Sequence, residues 1–244
     1  MGIMVPLETL LGGIFLCPGM HLFFSNTRKD ADLDIVYICA AKKALETTFK
    51  PGMVAHCMCN LPPITGNASE DVGRKTNLVT VNPSIITLKY KNLNEKKERF
   101  LKDISNYGDT FLLLPAFSYR VNTGISFKVY QTLKESKVRQ KVLFFHPRYL
   151  RHLALFWKTK GVTAYRLSTG LMIASIAIEL CENVKLYGFW PFSKTVEKIP
   201  LSHHYYDNKL PKRGFHQMPK EYSQMLQLHM GGVVKLHFGK CEMP

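Results

Sequence analysis

Between residues 203 and 219 the chain reads HHYYDNKLPKRGFHQMP, three histidines and two tyrosines among basic residues with one acid, Asp207. Histidine titrates near neutrality and serves as base, acid, metal ligand or packing residue. His203 and His204 are adjacent, so an extended backbone sends them to opposite faces, which suits a shared metal poorly. His216 lies twelve positions after His204, across a segment holding Pro211 and Gly214, with no carboxylate cluster or second histidine pair beside it. The chemistry that fits is proton transfer and anion contact. A neutral His216 takes a proton from an attacking hydroxyl, and His204 donates a hydrogen bond to a departing phosphate. A structural role for each histidine stays open on these residues alone.

Two further stretches carry chemistry. RLSTGLMIASIAIELC, from Arg166, sets Ser168, Thr169 and Gly170 at the start of an apolar helical run. Hydroxyls, backbone N–H groups and the helix dipole favour a phosphate or carboxylate there. The same residues also make an ordinary helix cap. YGFWPF, from Tyr187, comes just after a strand. Gly188 permits close approach of the backbone, and Phe189, Trp190 and Phe192 offer flat apolar surface where open α/β sheets take ligands, or else pack as a core cluster.

The elements that must position these residues show in the hydrophobic spacing. NLVTV at 77–81 predicts a strand, and NLNEKKERFLKDISNY at 92–107 a helix with Leu93, Phe100, Leu101 and Ile104 on one face. TFLLLPAF from 110 predicts a buried strand stopped by Pro115, and KVLFFHP repeats the design up to Pro147. RYLRHLALFWKTKG at 148–161 predicts a helix that closes on Gly161 as a left-handed cap. A helix buried on most of its surface begins at Ser168. NVKLYGFWPF predicts a strand running into a loop, PKEYSQMLQLHMGG a helix opening near Pro219, and VVKLHF a closing strand. Short apolar runs alternating with amphipathic stretches imply an α/β layered fold. Residues 1–57 do not share the rhythm; KDADLDIVYICAAKKALETTFK suits a strand and a short helix, and a boundary falls near residue 57. There is no internal repeat or low-complexity linker.

At 244 residues, 46% apolar and 21% charged, the chain has the size and composition of one globular domain. Thirty-three Lys and Arg against eighteen Asp and Glu give a net charge of +15, which favours anionic partners: nucleic acid, phosphates, acidic sugars or a membrane surface. No RRM, KH or zinc-finger signature accompanies the charge and the basic residues are scattered, which argues against nucleic acid. Of the six cysteines, at 17, 39, 57, 59, 181 and 241, the only close pair is CMC, off the usual zinc spacing. Asn67-Ala68-Ser69 is a glycosylation sequon and points to a secretory route. The first 24 residues are apolar but hold Pro6, Glu8, Pro18 and His21, and no basic segment leads them. Set against the uninterrupted run of about 20 apolar residues that a membrane helix needs, they read as a poor signal anchor.

Taken in order, these stretches resemble the sialyl motifs of the animal sialyltransferases. RLSTGLMIASIAIELCENVKLYGFWPF resembles the small motif, HHYYD the third and GFHQMPKE the very small one, while CNLPPITGNASEDVGRKTNLVTVNPSII at 59–86 resembles the end of the large motif and the segment beyond it. LPAFSYR and HHYYDNKLPKRGFHQMP place the resemblance in the alpha-2,8 group, type VI in particular, over about residues 59–244. It implies a GT-A-like, Rossmann-like α/β glycosyltransferase fold, with a mostly parallel central sheet flanked by helices, as a partial catalytic domain at 58–244. It implies transfer of sialic acid from CMP-sialic acid, with inversion and no metal cofactor, to the 8-hydroxyl of a terminal sialic acid on a glycoprotein or glycolipid. By the same resemblance His216 is the catalytic base, and His204 contacts the CMP phosphate and assists the leaving group. Asn60, Ser168, Thr169, Gly170, Gly188, Phe189 and Trp190 form the donor site. A lumenal place at the Golgi membrane and homo- or heterodimers are implied as well. The basic charge would then meet an anionic donor and an anionic acceptor.

Just before Cys59 the family carries a glycine-rich, GNGG-like loop after a strand; here the chain reads ETTFKPGMVAHCM. The expectation is weakened donor binding, loss of the first strand of the nucleotide-binding unit and a bare sheet edge. The resemblance also pairs Cys181 and Cys241 with two large-motif cysteines that lie in the replaced part. Cys17, Cys39 and Cys57 are the remaining candidates, and a lost bridge costs about 2–5 kcal/mol. Residues 1–57 thus read as the divergent start of an altered form. The second functional reading is an impaired isoform that binds full-length sialyltransferases.

Overall fold

The computed structural model describes residues 54–201, 204, 206 and 216–237, together with the backbone of Val36–Tyr37; Asp71 is described by its backbone alone. Two compact units emerge. Among the described residues one comprises 36–37, 54–150, 193–201, 204 and 206, the other 151–192 and 216–237.

The first, the sheet unit, is built on β1 (Val36–Tyr37), β2 (Cys57–Met58), β3 (Leu78–Thr80), β4 (Phe111–Leu114) and β5 (Lys141–Phe144). All pairs are parallel, in the order β1-β5-β4-β3-β2. Every residue of β3 and β4 is buried, as expected of central strands in a parallel sheet covered on both faces. The register sets Val79 beside Leu112 and Leu113 beside Leu143. Pro115 stops β4 as the sequence predicts, since proline cannot donate to the ladder.

Helices α1 (Ala68–Val72), α2 (Pro83–Leu88), α3 (Lys97–Ser105), α4 (Arg120–Glu135) and α5 (Pro147–Thr159) complete the order. Phe100 and Ile104, one turn apart on α3, are fully buried with Tyr90, Val79, Leu112, Leu114 and Phe144 in one core cluster. Each such side chain contributes about 1.5–3 kcal/mol. The Tyr90 hydroxyl donates to Asp103 at 2.7 Å and the Lys89 ammonium pairs with the same carboxylate at 2.8 Å, tying the end of α2 to α3. Helix α4 has no counterpart among the predicted elements. Asn122, Thr123 and Gly124 obscure its helical spacing, and two of them bond locally: Asn122 Nδ2 donates to Ser118 Oγ and Thr123 Oγ1 to the Ala116 carbonyl. Burial of Ser126, Val129 and Leu133 sustains the helix, with Phe127 stacked on Phe144 at 5.3 Å.

The replaced segment before Cys59 supplies β2, which pairs with Leu78 and Val79; no described strand lies outside it. Within KDADLDIVYICAAKKALETTFK the predicted strand is β1, and the predicted short helix lies outside the described residues.

The second, helical unit contains most of α5, then α6 (Thr169–Leu180), β6 (Lys185–Leu186), α7 (Met218–Met230) and β7 (Lys235–Leu236), with β6 and β7 paired in parallel. Leu153 and Trp157, one turn apart on α5, are buried. The Trp157 indole N–H donates to Ser175 Oγ at 3.0 Å, and that hydroxyl donates to the Leu171 carbonyl. Six consecutive residues of α6, Leu171 to Ile176, are buried, as its nearly unbroken apolar run predicts. Gly161 closes α5 at φ +85°, and the next N–H, from Val162, reaches back to the Trp157 carbonyl. Among the described residues no helix is long and apolar enough to cross a membrane.

Candidate active site

The starts of α6 and α7 are joined in the helical unit by three long-range links. Ser168 caps α6, its Oγ accepting the Leu171 N–H at 3.1 Å, while its own N–H donates to Glu221 Oε1 at 2.9 Å. Gln217, which caps α7, accepts the Thr163 N–H at 2.9 Å. His216 Nδ1 lies 2.8 Å from the Arg166 carbonyl oxygen. The loop between α5 and α6 is thereby stitched to the segment that opens α7.

The third link decides a tautomer. A carbonyl oxygen only accepts, so the neutral imidazole carries its proton on Nδ1 and presents a lone pair at Nε2. An oriented base with one nitrogen engaged behind and the other available in front is the arrangement proton abstraction needs.

Glu221 is fully buried in the first turn of α7. Burial pushes its carboxyl up from the ordinary value, while hydrogen bonding from Ser168 and the charge of nearby His216 act against the rise. Its second oxygen, Oε2, is buried without a hydrogen-bond partner. A carboxylate at a helix N-terminus is favoured by the dipole, and here one carboxylate engages the cap of a second helix. The first-turn N–H groups of α6 lack intrahelical acceptors, so two helix starts concentrate partial positive charge near Ser168. Glu221 does not stand out in the sequence. Its place a few residues past a proline-opened helix start was the available signal, but acids are mostly exposed and nothing in the spacing turns this one inward.

The aromatic segment packs on the same helix starts. A Cβ at Gly170 would meet Phe189 Cε1 at 2.9 Å, so close approach is the property required of Gly170. At Gly188 a Cβ would meet nothing within 4 Å; its φ of +71° is what calls for glycine, which corrects the expectation of close approach there. Trp190, Phe192 and Tyr222 form a mutually edge-on trio with centroids 5.1 to 5.9 Å apart, and Phe192 keeps 45% of its surface exposed. Ser168, Gly170, Phe189 and Trp190 thus gather with His216 and Glu221 around the openings of α6 and α7, Thr169 being the first residue of α6.

Asn60 and His204 belong to the sheet unit. Asn60 sits past the carboxyl end of β2, where parallel sheets take ligands, and both it and Leu61 are left-handed, at φ +65° and +47°. Its N–H donates to Thr80 Oγ1 at 2.8 Å and its Oδ1 accepts the Asn82 N–H at 3.2 Å. Asn82, at the matching end of β3, is a second polar residue that the motifs did not single out. His204 is stacked on Tyr206, centroids 4.9 Å apart and planes 10° apart. Asn67 is exposed at the N-terminus of α1. Cys59 and Cys181 have free thiols, and burial pushes the Cys59 thiol up to about 12, which disfavours a nucleophilic role. His203, Cys17, Cys39 and Cys241 lie outside the described residues.

Residues 57–233 match the model of glycosyltransferase family 29, the sialyltransferases. The chain is similar to alpha-2,8-sialyltransferase 8F of Mus musculus, 86% identical over 184 residues that make up 75% of this chain and 46% of that protein. It is also similar to the alpha-N-acetylneuraminide alpha-2,8-sialyltransferase of Bos taurus, 46% identical over 75% of this chain and 52% of that protein. The chain thus spans about half the length of the curated relatives it matches. Among solved structures, a crystal structure of a mammalian sialyltransferase shares the fold, with a TM-score of 0.51 and 18% identity over 78% of this chain and 62% of that one. With the family model matching residues 57–233, more than half of the chain, and the match to a relative at 86% identity spanning 75% of it, the chain belongs to glycosyltransferase family 29, the sialyltransferases.

Proposed function

We propose that this chain carries the acceptor-activating part of an alpha-2,8-sialyltransferase that uses CMP-sialic acid as donor and a terminal sialic acid as acceptor. His216 Nε2 takes the proton from the acceptor 8-hydroxyl as that oxygen attacks the anomeric carbon of the donor sugar. The bond from that carbon to the CMP phosphate oxygen breaks with its electron pair going to the phosphate, and configuration inverts. Backbone donors at the start of α6 meet the growing phosphate charge, which is how such a transfer proceeds without a resident metal; the motif resemblance also assigns His204 a phosphate contact. Phe189 and Trp190 line the donor site beside the start of α6, and the motif resemblance adds Asn60 as a donor contact. A lumenal Golgi location belongs to the same reading, and the exposed Asn67 sequon suits it.

The observation that carries the reading is the hydrogen bond from His216 Nδ1–H to the Arg166 carbonyl, which leaves Nε2 as a lone-pair base. The test is incubation of the purified chain with CMP-sialic acid and a sialylated oligosaccharide, with linkage analysis of the product and calorimetry of CMP binding. A product with a new 2,8 linkage and micromolar CMP binding are expected. No product, and no binding at millimolar CMP, would overturn it.

A further inference from the structure

The two-stranded sheet β6–β7 shows solvent a face unlike the rest of the helical unit. Leu186 and Leu236 point into the core, so the alternating positions, Lys185 and Tyr187 on one strand and Lys235 and His237 on the other, share the opposite face. Lys185 and Lys235 are direct register partners and both are exposed. Like charges side by side on one sheet face repel. Among the described residues neither ammonium has an ion-pair partner. Next to them Tyr187, 52% exposed, is stacked on the His237 ring at 4.2 Å with planes 15° apart.

Paired lysines beside the exposed face of Tyr187 repel one another and are suited to one class of ligand. A carboxylate bridging the two ammoniums removes the repulsion, and the C–H face of a sugar ring packs against an aromatic face. A lipid surface would ask for protruding aliphatic side chains, and the described residues of this face present none. We propose that Lys185, Lys235 and Tyr187 form an accessory binding face for an anionic, sialylated oligosaccharide, holding a part of the glycan other than the sugar that reacts. The proposal rests on the sialyl-transfer reading for its choice of acid sugar. Burial and the charges of Lys235, Lys185 and His229 hold the His237 pKa below its ordinary value, so a bound carboxylate should raise it and report occupancy.

The test is a titration of the chain with sialyllactose, lactose, inorganic sulfate and phosphatidylserine vesicles, read by calorimetry and by the His237 ring resonances across pH. Sialyllactose should bind about tenfold more tightly than lactose at this face, and the binding event that the His237 resonances report should vanish in the Lys185→Ser, Lys235→Ser double variant. Tyr187→Ala should weaken sialyllactose while leaving sulfate unchanged. The double variant should also show an unchanged or raised thermal midpoint, since it relieves repulsion, and an unaltered rate on a short acceptor. Equal sialyllactose affinity in wild type and double variant overturns the proposal, and so does lysine-dependent binding of vesicles alone. Because binding is read without turnover, loss of transfer with the lysine-dependent preference intact would count against the transfer reading and leave this face standing.

Discussion

The helical unit and the sheet unit hold their polar residues by opposite means. In the helical unit His216, Gln217 and Glu221 each bond the backbone of a segment roughly fifty positions earlier, and Glu221 does so from a fully buried site. In the sheet unit Asn60 sits on a strand end, held by Thr80 and Asn82 at the end of the neighbouring strand, in a left-handed backbone. The first arrangement sets a proposed base and a buried structural carboxylate on one helix start, so activity and stability should separate according to which of the two is changed. The second is a property of two adjacent strands, and damage there should stay local.

Removal of the base should give the largest separation of activity from stability. His216→Ala is expected to lower kcat by about 10²- to 10⁴-fold, with little change in thermal midpoint because one partly buried carbonyl contact is lost. Full residual activity in that variant would remove the catalytic assignment.

Glu221 should move stability where His216 does not. Glu221→Ala leaves the buried Ser168 N–H without an acceptor and should cost about 1–3 kcal/mol by denaturant melts. Glu221→Gln keeps the acceptor and gives the sign of the pH effect. The folded carboxyl pKa is raised above its ordinary 4.5, so the contribution of Glu221 is fully present below that value and is lost as pH rises through the folded pKa. Stability of the wild type relative to Glu221→Gln should therefore fall with rising pH. A pH-independent gap would show that Glu221 titrates normally and is not buried as described.

On the sheet side, Asn60→Ala loses an acceptor and keeps a left-handed backbone that costs about 1–2 kcal/mol for a residue with a Cβ. Asn60→Gly should recover much of that stability while both variants weaken CMP binding in calorimetry. Equal CMP affinity in all three proteins would detach Asn60 from the donor site. The smallest effects contrast two helical glycines by thermal melts. Gly170→Ala drives a Cβ to 2.9 Å from Phe189 and should destabilise by about 1 kcal/mol, whereas Gly124→Ala meets nothing within 4 Å and should stabilise α4 by about 0.5–1 kcal/mol.

Much of this architecture was legible from local pattern. β3, β4, β5, α6 and α7 fall where apolar spacing, Pro115, Ser168 and Pro219 put them, because burial on both faces demands unbroken apolar strands and because caps and prolines act within a few residues, whereas α3 starts at Lys97 rather than at residue 92, since Leu93 lies in a separate 3-10 turn, Lys91–Leu93, with a left-handed φ of +61°. Helix α4 was not legible, since Asn122, Thr123 and Gly124 disfavour a helix locally and only contact with Phe144 and the core overrides them. The requirement for glycine at position 188 is hidden for a related reason: positive φ and close approach both select glycine, and sequence does not distinguish them.

By itself the sequence determined the ordered motifs, the excess of positive charge, the central strands and the identity of His216 as a titratable group in a helix-opening segment. Only the tertiary structure decided which nitrogen of that histidine is engaged, that Glu221 is buried against the cap of another helix, and that Lys185 stands beside Lys235. The physical reason is distance along the chain. Capping, proline and periodicity act between near neighbours, while a tautomer, a buried carboxylate and a pair of like charges depend on groups some fifty residues away.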